Sequence, residues 1–214
     1  MVQTGLAVIE ARWWDDGNDS VKGMFESVCG LLTGNPFSFR YEMFCDESSL
    51  RTSIGHVGAD ERFHTIYIGA HGNEASLSGS VDHDISRTKL RNILAGANKK
   101  KSYIKGLYFG SCLICNEKNA RFLLEKKGQT RLKWIAGYSQ SVDWVISTCV
   151  DMMFWSFLIQ ERTRNRSRKK GKKDDLAMAL FAASEMKKVM PTVFGALGFN
   201  VYHLDGGNQL AKVW

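Results

Sequence analysis

The chain has 214 residues, 44% of them hydrophobic, which is enough to bury one sizeable core and is read as a single domain over 1–214. Its formal charge of +7 suggests a polyanion partner until it is mapped: Arg162, Arg164, Arg166, Arg168, Lys169, Lys170, Lys172 and Lys173 all fall in RTRNRSRKKGKK, and the rest is close to neutral. Five cysteines, an odd number, argue against a disulfide framework, and the five histidines form no HExxH-type pair, so metal hydrolysis has no support.

MVQTGLAVIEARWWDDG lacks the basic start and long apolar stretch of a signal peptide, so a cytoplasmic, reducing location is expected. GLAVIEARWW then reads as a first strand. SVKGMFESVCGLL reads as a helix carrying Val21, Met24, Phe25, Val28, Leu31 and Leu32 at near-helical spacing. FSFRYEMF reads as a strand whose Phe37, Phe39, Tyr41 and Met43 share a face, and DESSLRTSIGHVG as a helix. TIYIGA is a continuous apolar run, as a central parallel strand covered on both faces requires. A short strand at SLSG, a helix at SRTKLRNILAGA, a fourth main strand at YIKGLYFG, a helix at NEKNARFLLEKK and a strand at RLKWIAGY follow.

VDWVISTCVDMMFWSFLI contains Asp143 and Asp151 and falls short of the roughly 20 apolar residues of a bilayer span, so it reads as a buried core helix. The basic run at 162–173 reads as a solvated loop; without aromatic residues between its charges it would hold phosphates but stack no bases. The helix DLAMALFAASEMKKVM, stopped by Pro191, and a strand near VFGALGFNVYHL complete the chain. This alternation predicts an α/β fold of three layers, α/β/α, around a mostly parallel sheet.

In such sheets reactive groups gather at the carboxyl ends of the strands, and both TIYIGAHGN and LYFGSCLICN end on reactive side chains. Cys112 needs a base to become a nucleophile, and His71 is one. Gly72 has no Cβ, so its N–H can approach a substrate carbonyl closely; with the Cys112 N–H it would form an oxyanion hole worth about 3–4 kcal/mol per donor. Each residue alone is more often a strand-end histidine or a packed cysteine, but the two strand ends together point to one site.

IYIGAHGN followed by YFGSC resembles the His-Gly and strand-end Cys signatures of the caspase-like cysteine peptidases. IAGYSQSVDWVISTCVDMMFWSFLIQ is similar to the corresponding stretch of the bacterial CHAT-domain proteases. The resemblance covers about residues 60–190. It implies a caspase-like sandwich and a cysteine endopeptidase, a thiol-protease hydrolase with a Cys-His dyad of Cys112 and His71. It further implies oxyanion donors at Gly72 and Cys112, and a substrate groove at Tyr138, Ser139, Gln140 and Asp143. A peptide substrate, an activating partner and a bacterial stress or defence role belong to the same resemblance, which implies neither metal nor cofactor. The chain departs from it at Gly110, where metacaspases carry an Asp that binds a basic substrate side chain, so the substrate preference stays open.

Three other readings are open. Asp143 serves equally well as a first-turn acid of the helix behind a Ser141 N-cap. Cys112-Leu-Ile-Cys115 would let Cys115 trap Cys112 as a reversible disulfide. Gly110-Ser111-Cys112 with His203-Leu204-Asp205 resembles a class I glutamine amidotransferase using Cys112 and His203. The non-enzymatic alternative is an inactive caspase-like scaffold that binds a partner or nucleic acid through its basic loop.

Overall fold

The computed structural model describes residues 5–12, 14, 19–79, 83–101, 103–125 and 129–214. Strand β1 (Leu6–Ala11) is buried along its whole length because it is central: β2 (Phe39–Phe44) and β3 (Thr65–Gly69) both pair with it in parallel. Strands β6 (Gly106–Gly110) and β7 (Trp134–Tyr138) extend the parallel array, and β8 (Phe199–Leu204) and β9 (Leu210–Lys212) close it antiparallel. The order is β2-β1-β3-β6-β7-β8-β9, so the chain reverses direction of growth beside β1 and β3. A small antiparallel hairpin, β4 (Ser76–Ser78) with β5 (Asp84–Ser86), follows β3.

Alternation along each central strand sends one set of side chains to each face. Ala7, Ile9, Ile66, Ile68, Leu107, Phe109 and Ile135 meet the helices α2 (Glu47–Gly58), α3 (Arg87–Ala97) and α4 (Glu117–Leu124). Leu6, Val8, Tyr67, Tyr108, Trp134, Ala136 and Tyr138 meet α1 (Lys22–Thr33), α5 (Trp144–Ser167) and α6 (Asp175–Val189). A short helix α7 (Val193–Leu197) leads into β8. The fold is thus the expected three-layer α/β/α sandwich. The second layer is rich in ring contacts: Tyr108 lies 5.2 Å from Phe154, 6.1 Å from Trp155 and 5.8 Å from Phe199. Such pairs add about 0.5–1.5 kcal/mol each beyond the area they bury.

Several expectations change in detail. Helix α1 buries Phe25 and Cys29 behind Val21, while Met24 and Leu31 face solvent, so its buried stripe runs i, i+4, i+8. Pro36–Ser38 is a 3-10 turn, which leaves Phe37 exposed instead of sharing a face with Phe39. Strands β5 and β9, three residues each, are too short to leave a periodic signal in the sequence. The expected extension of the first strand through Trp13, and of α4 through Lys126 and Lys127, lies outside the described residues.

The basic run is not a loop over 162–173. Helix α5 continues to Ser167; Arg162 is buried and its Nη2 donates to Thr65 Oγ1 at 2.5 Å. The turn after it is fastened by buried Glu161, which pairs with Arg168 at 2.7 Å and Lys173 at 2.9 Å. Asn165 adds side-chain bonds to the Lys173 backbone N–H and carbonyl. Arg164, Arg166, Lys169, Lys170 and Lys172 remain exposed. Among the described residues, no helix is long and apolar enough to cross a membrane.

Candidate active site

Strands β3 and β6 pair in register, with Gly69 opposite Gly110, and His71 and Cys112 each stand two residues beyond that pair. Adjacent strands run about 4.8 Å apart, so the two loops leave the sheet side by side. They approach closely at Gly72: a Cβ there would come within 2.6 Å of the Cys112 carbonyl oxygen and 3.3 Å of Ser111 Cβ. No side chain fits, which is the physical reason for glycine at this position.

The hairpin sets the direction of the Gly72 amide. Gly72 bridges to Leu77, with Ser78 N–H donating to the His71 carbonyl at 2.9 Å and Asn73 N–H donating to the Ser76 carbonyl at 3.0 Å. In an antiparallel pair flanked this way, the central residue's own N–H and C=O point away from the partner strand. Among the described residues, neither the Gly72 N–H nor the Cys112 N–H has an acceptor.

Cys112 is half-buried, and its sulfur accepts from the Val142 N–H at 3.4 Å and lies 3.8 Å from the Val142 carbonyl oxygen. An amide directed at sulfur is what a thiolate would accept from. The turn after the cysteine is tight: Ile114 N–H donates back to the Cys112 carbonyl at 2.7 Å and Leu113 takes φ +64°, a conformation that bulky side chains rarely adopt. The end of β7 holds this turn, since Leu113 N–H donates to the Gln140 carbonyl and Cys115 N–H to the Tyr138 carbonyl.

Two asparagines at the start of α4 clamp the His71 and Cys112 loops together. Buried Asn119 donates to the carbonyls of Glu74 (2.8 Å) and Ile114 (2.8 Å) and accepts from Arg87 (3.2 Å). Asn116 caps α4 through the Asn119 N–H and donates to the carbonyls of Leu113 and Glu74. Sequence reasoning misses these residues, because N-x-x-N signals only a helix cap. It misses Val142 too, whose part is played by backbone atoms. Beside the clamp lies a groove of about 570 Å³ lined by Glu74, Arg87, Leu113, Asn116, Lys118 and Ser139.

The four expected substrate residues separate. Ser139 lines the groove, and Gln140 is exposed and contributes its carbonyl to the cysteine turn. Tyr138 does not face a groove: it is fully buried, with its hydroxyl 2.5 Å from Asp151 Oδ1, because the alternation of β7 points it into the α5 layer. Asp143 is exposed and is itself the N-cap of α5, accepting from Ile146 N–H at 2.9 Å; the expected cap, Ser141, lies outside the helix.

Asp151 gathers three tyrosines from three adjacent strands: Tyr67 at 2.8 Å, Tyr108 at 2.5 Å and Tyr138 at 2.5 Å. Burial pushes its carboxyl up to about 7 while the three hydroxyls pull it down. The same burial and the Asp151 charge hold all three tyrosines well above the usual phenol range. Tyr67 also explains Gly110. A Cβ at 110 would overlap the Tyr67 hydroxyl and ring, so the position where metacaspases carry an Asp is filled from the neighbouring strand.

Two rival readings fail on topology and burial. His203 pairs with Trp134 at the amino end of β7, the opposite end of the sheet from Cys112 and about 13 Å along a five-residue strand, so a Cys112–His203 pair does not form. Cys115 is buried and its thiol is pushed far up by burial, which leaves it protonated and poorly placed to trap an oxidised Cys112. All five cysteines are free, and no group of three or more metal-ligating side chains occurs among the described residues.

The fold is consistent with the caspase-like architecture. The chain is similar to a secreted C11 cysteine protease from Bacteroides thetaiotaomicron, solved in complex with an irreversible peptide inhibitor. The TM-score is 0.51 at 9% identity, and the match covers 94% of this chain but only 66% of the length of that one. The finer likeness to CHAT-domain proteases finds no support there. No protein-family model matches the chain, and no curated protein matches it.

Proposed function

We propose that the chain is a cysteine endopeptidase in which Cys112 is the nucleophile and His71 the general base. His71 takes the thiol proton as sulfur attacks the scissile carbonyl carbon, and returns it to the leaving amine when the C–N bond breaks. The resulting thioester is hydrolysed by a water that His71 deprotonates. The developing oxyanion in both steps is held by the N–H groups of Gly72 and Cys112.

The observation that carries this reading is the approach of the Gly72 backbone to the Cys112 carbonyl, with neither the Gly72 N–H nor the Cys112 N–H having an acceptor among the described residues. The groove lined by Ser139, Leu113 and Glu74 supplies a path for an extended peptide. Gly110, filled by Tyr67, removes the acidic position expected of an enzyme selective for basic residues.

An irreversible peptidyl probe library carrying a thiol-reactive group tests it, with the label located by mass spectrometry. Stoichiometric labelling at Cys112 that falls by at least about 100-fold in rate in His71→Ala is expected for a base-activated thiol. Equal slow labelling of exposed Cys45, Cys112 and exposed Cys149 would instead mark an inactive scaffold.

A further inference from the structure

We propose that a second site, a cavity of about 780 Å³ at the amino ends of β6 and β7, binds a small molecule carrying two or more phosphate groups. It lies at the end of the sheet opposite Cys112, so its ligand is not the peptide, and the inference stands whether or not the chain is a peptidase.

Lys99, Lys105, Arg131 and Lys133 line it. Lys105 and Lys133 directly precede the paired residues Gly106 and Trp134, and Lys133 N–H donates to the Lys105 carbonyl at 2.7 Å. Like charges at neighbouring positions of adjacent strands destabilise a sheet. Lys105 registers the crowding: burial holds its ammonium below the usual lysine range, Lys133 and Arg131 press the same way, and Asp175 draws the other way. Among the described residues, Lys99, Arg131 and Lys133 form no ion pair, and the Arg131 guanidinium donates only to the Asn98 carbonyl. Three carboxylates line the rim as well: Asp174, which caps the Ala177 N–H, Asp205, which accepts from Gly207 and Gln209, and Glu125, so the four cations leave the lining with an excess of one positive charge.

Backbone strain concentrates here as well. Among the described residues, four non-glycine positions have positive φ; Leu113 adjoins Cys112, and the other three, Gln129, Arg131 and Asn208, all line this cavity. Such conformations gather at ligand sites. The volume suits a small ligand, and a guanidinium with three ammoniums suits clustered phosphates. No aromatic residue lines the cavity among the described residues, so it lacks the stacking platform of a single-stranded nucleic-acid site.

Calorimetric titration of the full chain with sodium tripolyphosphate, at a fixed ionic strength of about 0.1 M, is the test. Saturable binding is expected, weakened about 10-fold or more by Lys99→Gln with Lys133→Gln, two exposed side chains whose loss leaves the fold intact. Replacing Arg164, Arg166, Lys169 and Lys170 by Gln should leave it unchanged. Adenosine triphosphate binding equally well would assign recognition to the phosphate chain, and tighter binding would add the nucleoside. No saturable binding below about 1 mM, or binding lost only with the second set of variants, or a single-stranded oligonucleotide displacing the ligand through that second set, would overturn the proposal.

Discussion

At Gly72 one hydrogen atom in place of a methyl group decides whether two loops can meet. Gly72→Ala would drive a Cβ to 2.6 Å from the Cys112 carbonyl oxygen, so the hairpin must retreat and carry the Gly72 N–H with it. The expected result is a loss of about 100-fold in probe labelling at Cys112 with little change in melting temperature, measured side by side. Gly110, at the end of the neighbouring strand β6, obeys the same logic. Gly110→Asp sets a carboxylate against the buried Tyr67 hydroxyl, and should cost roughly 3 kcal/mol or more in urea denaturation without creating cleavage after Arg or Lys. Stable folding with new basic specificity would show that Tyr67 can vacate the position.

Among the elements, α5 carries the most responsibilities. Its N-cap, Asp143, starts the helix one residue after Val142, whose backbone brackets the Cys112 sulfur, so helix start and nucleophile position are coupled. Its middle supplies Asp151 to the sheet, and its end places Glu161 under the basic turn. Glu161 is buried, and although burial raises its carboxyl, bonds from Arg168 and Lys173 bring it below the ordinary range. Glu161→Ala should destabilise by about 1–3 kcal/mol and release the turn. Limited digestion with trypsin checks this: cleavage between Arg168 and Lys173 should rise about several-fold over the unmodified chain.

For the whole molecule, Asp151 joins α5 to β3, β6 and β7 through one carboxylate. Its folded value of about 7 lies above the ordinary 3.8. Between those values the native state keeps a proton that the unfolded chain has released, so unfolding sheds a proton and stability falls as pH rises. The contribution is complete below about pH 4 and lost above about pH 7, declining between them by roughly 1.4 kcal/mol for each step of one in pH. Asp151→Asn keeps the shape and removes the titration. The stability of the unmodified chain minus that of Asp151→Asn, from urea midpoints across this range, should decline with rising pH; a flat difference would mean Asp151 is ionised throughout.

Periodicity alone determined the strand and helix alternation, hence the parallel three-layer sheet, because a strand covered on both faces must be a continuous apolar run such as TIYIG. The short sequence spacing also placed His71 and Cys112 at neighbouring strand ends, since parallel βαβ units bring consecutive carboxyl ends together. Only the tertiary structure decided the rest. Strand alternation points Tyr138 and Tyr67 into the layer where α5 buries Asp151, so their hydroxyls became its donors, and Asn119 became a clamp because two loop carbonyls lay within its reach. His203 went to the far end of the sheet because β8 runs antiparallel. The basic run folded back because one buried glutamate draws two of its charges. These outcomes depend on strand direction and on which groups burial leaves in need of a partner, and neither is written in local sequence.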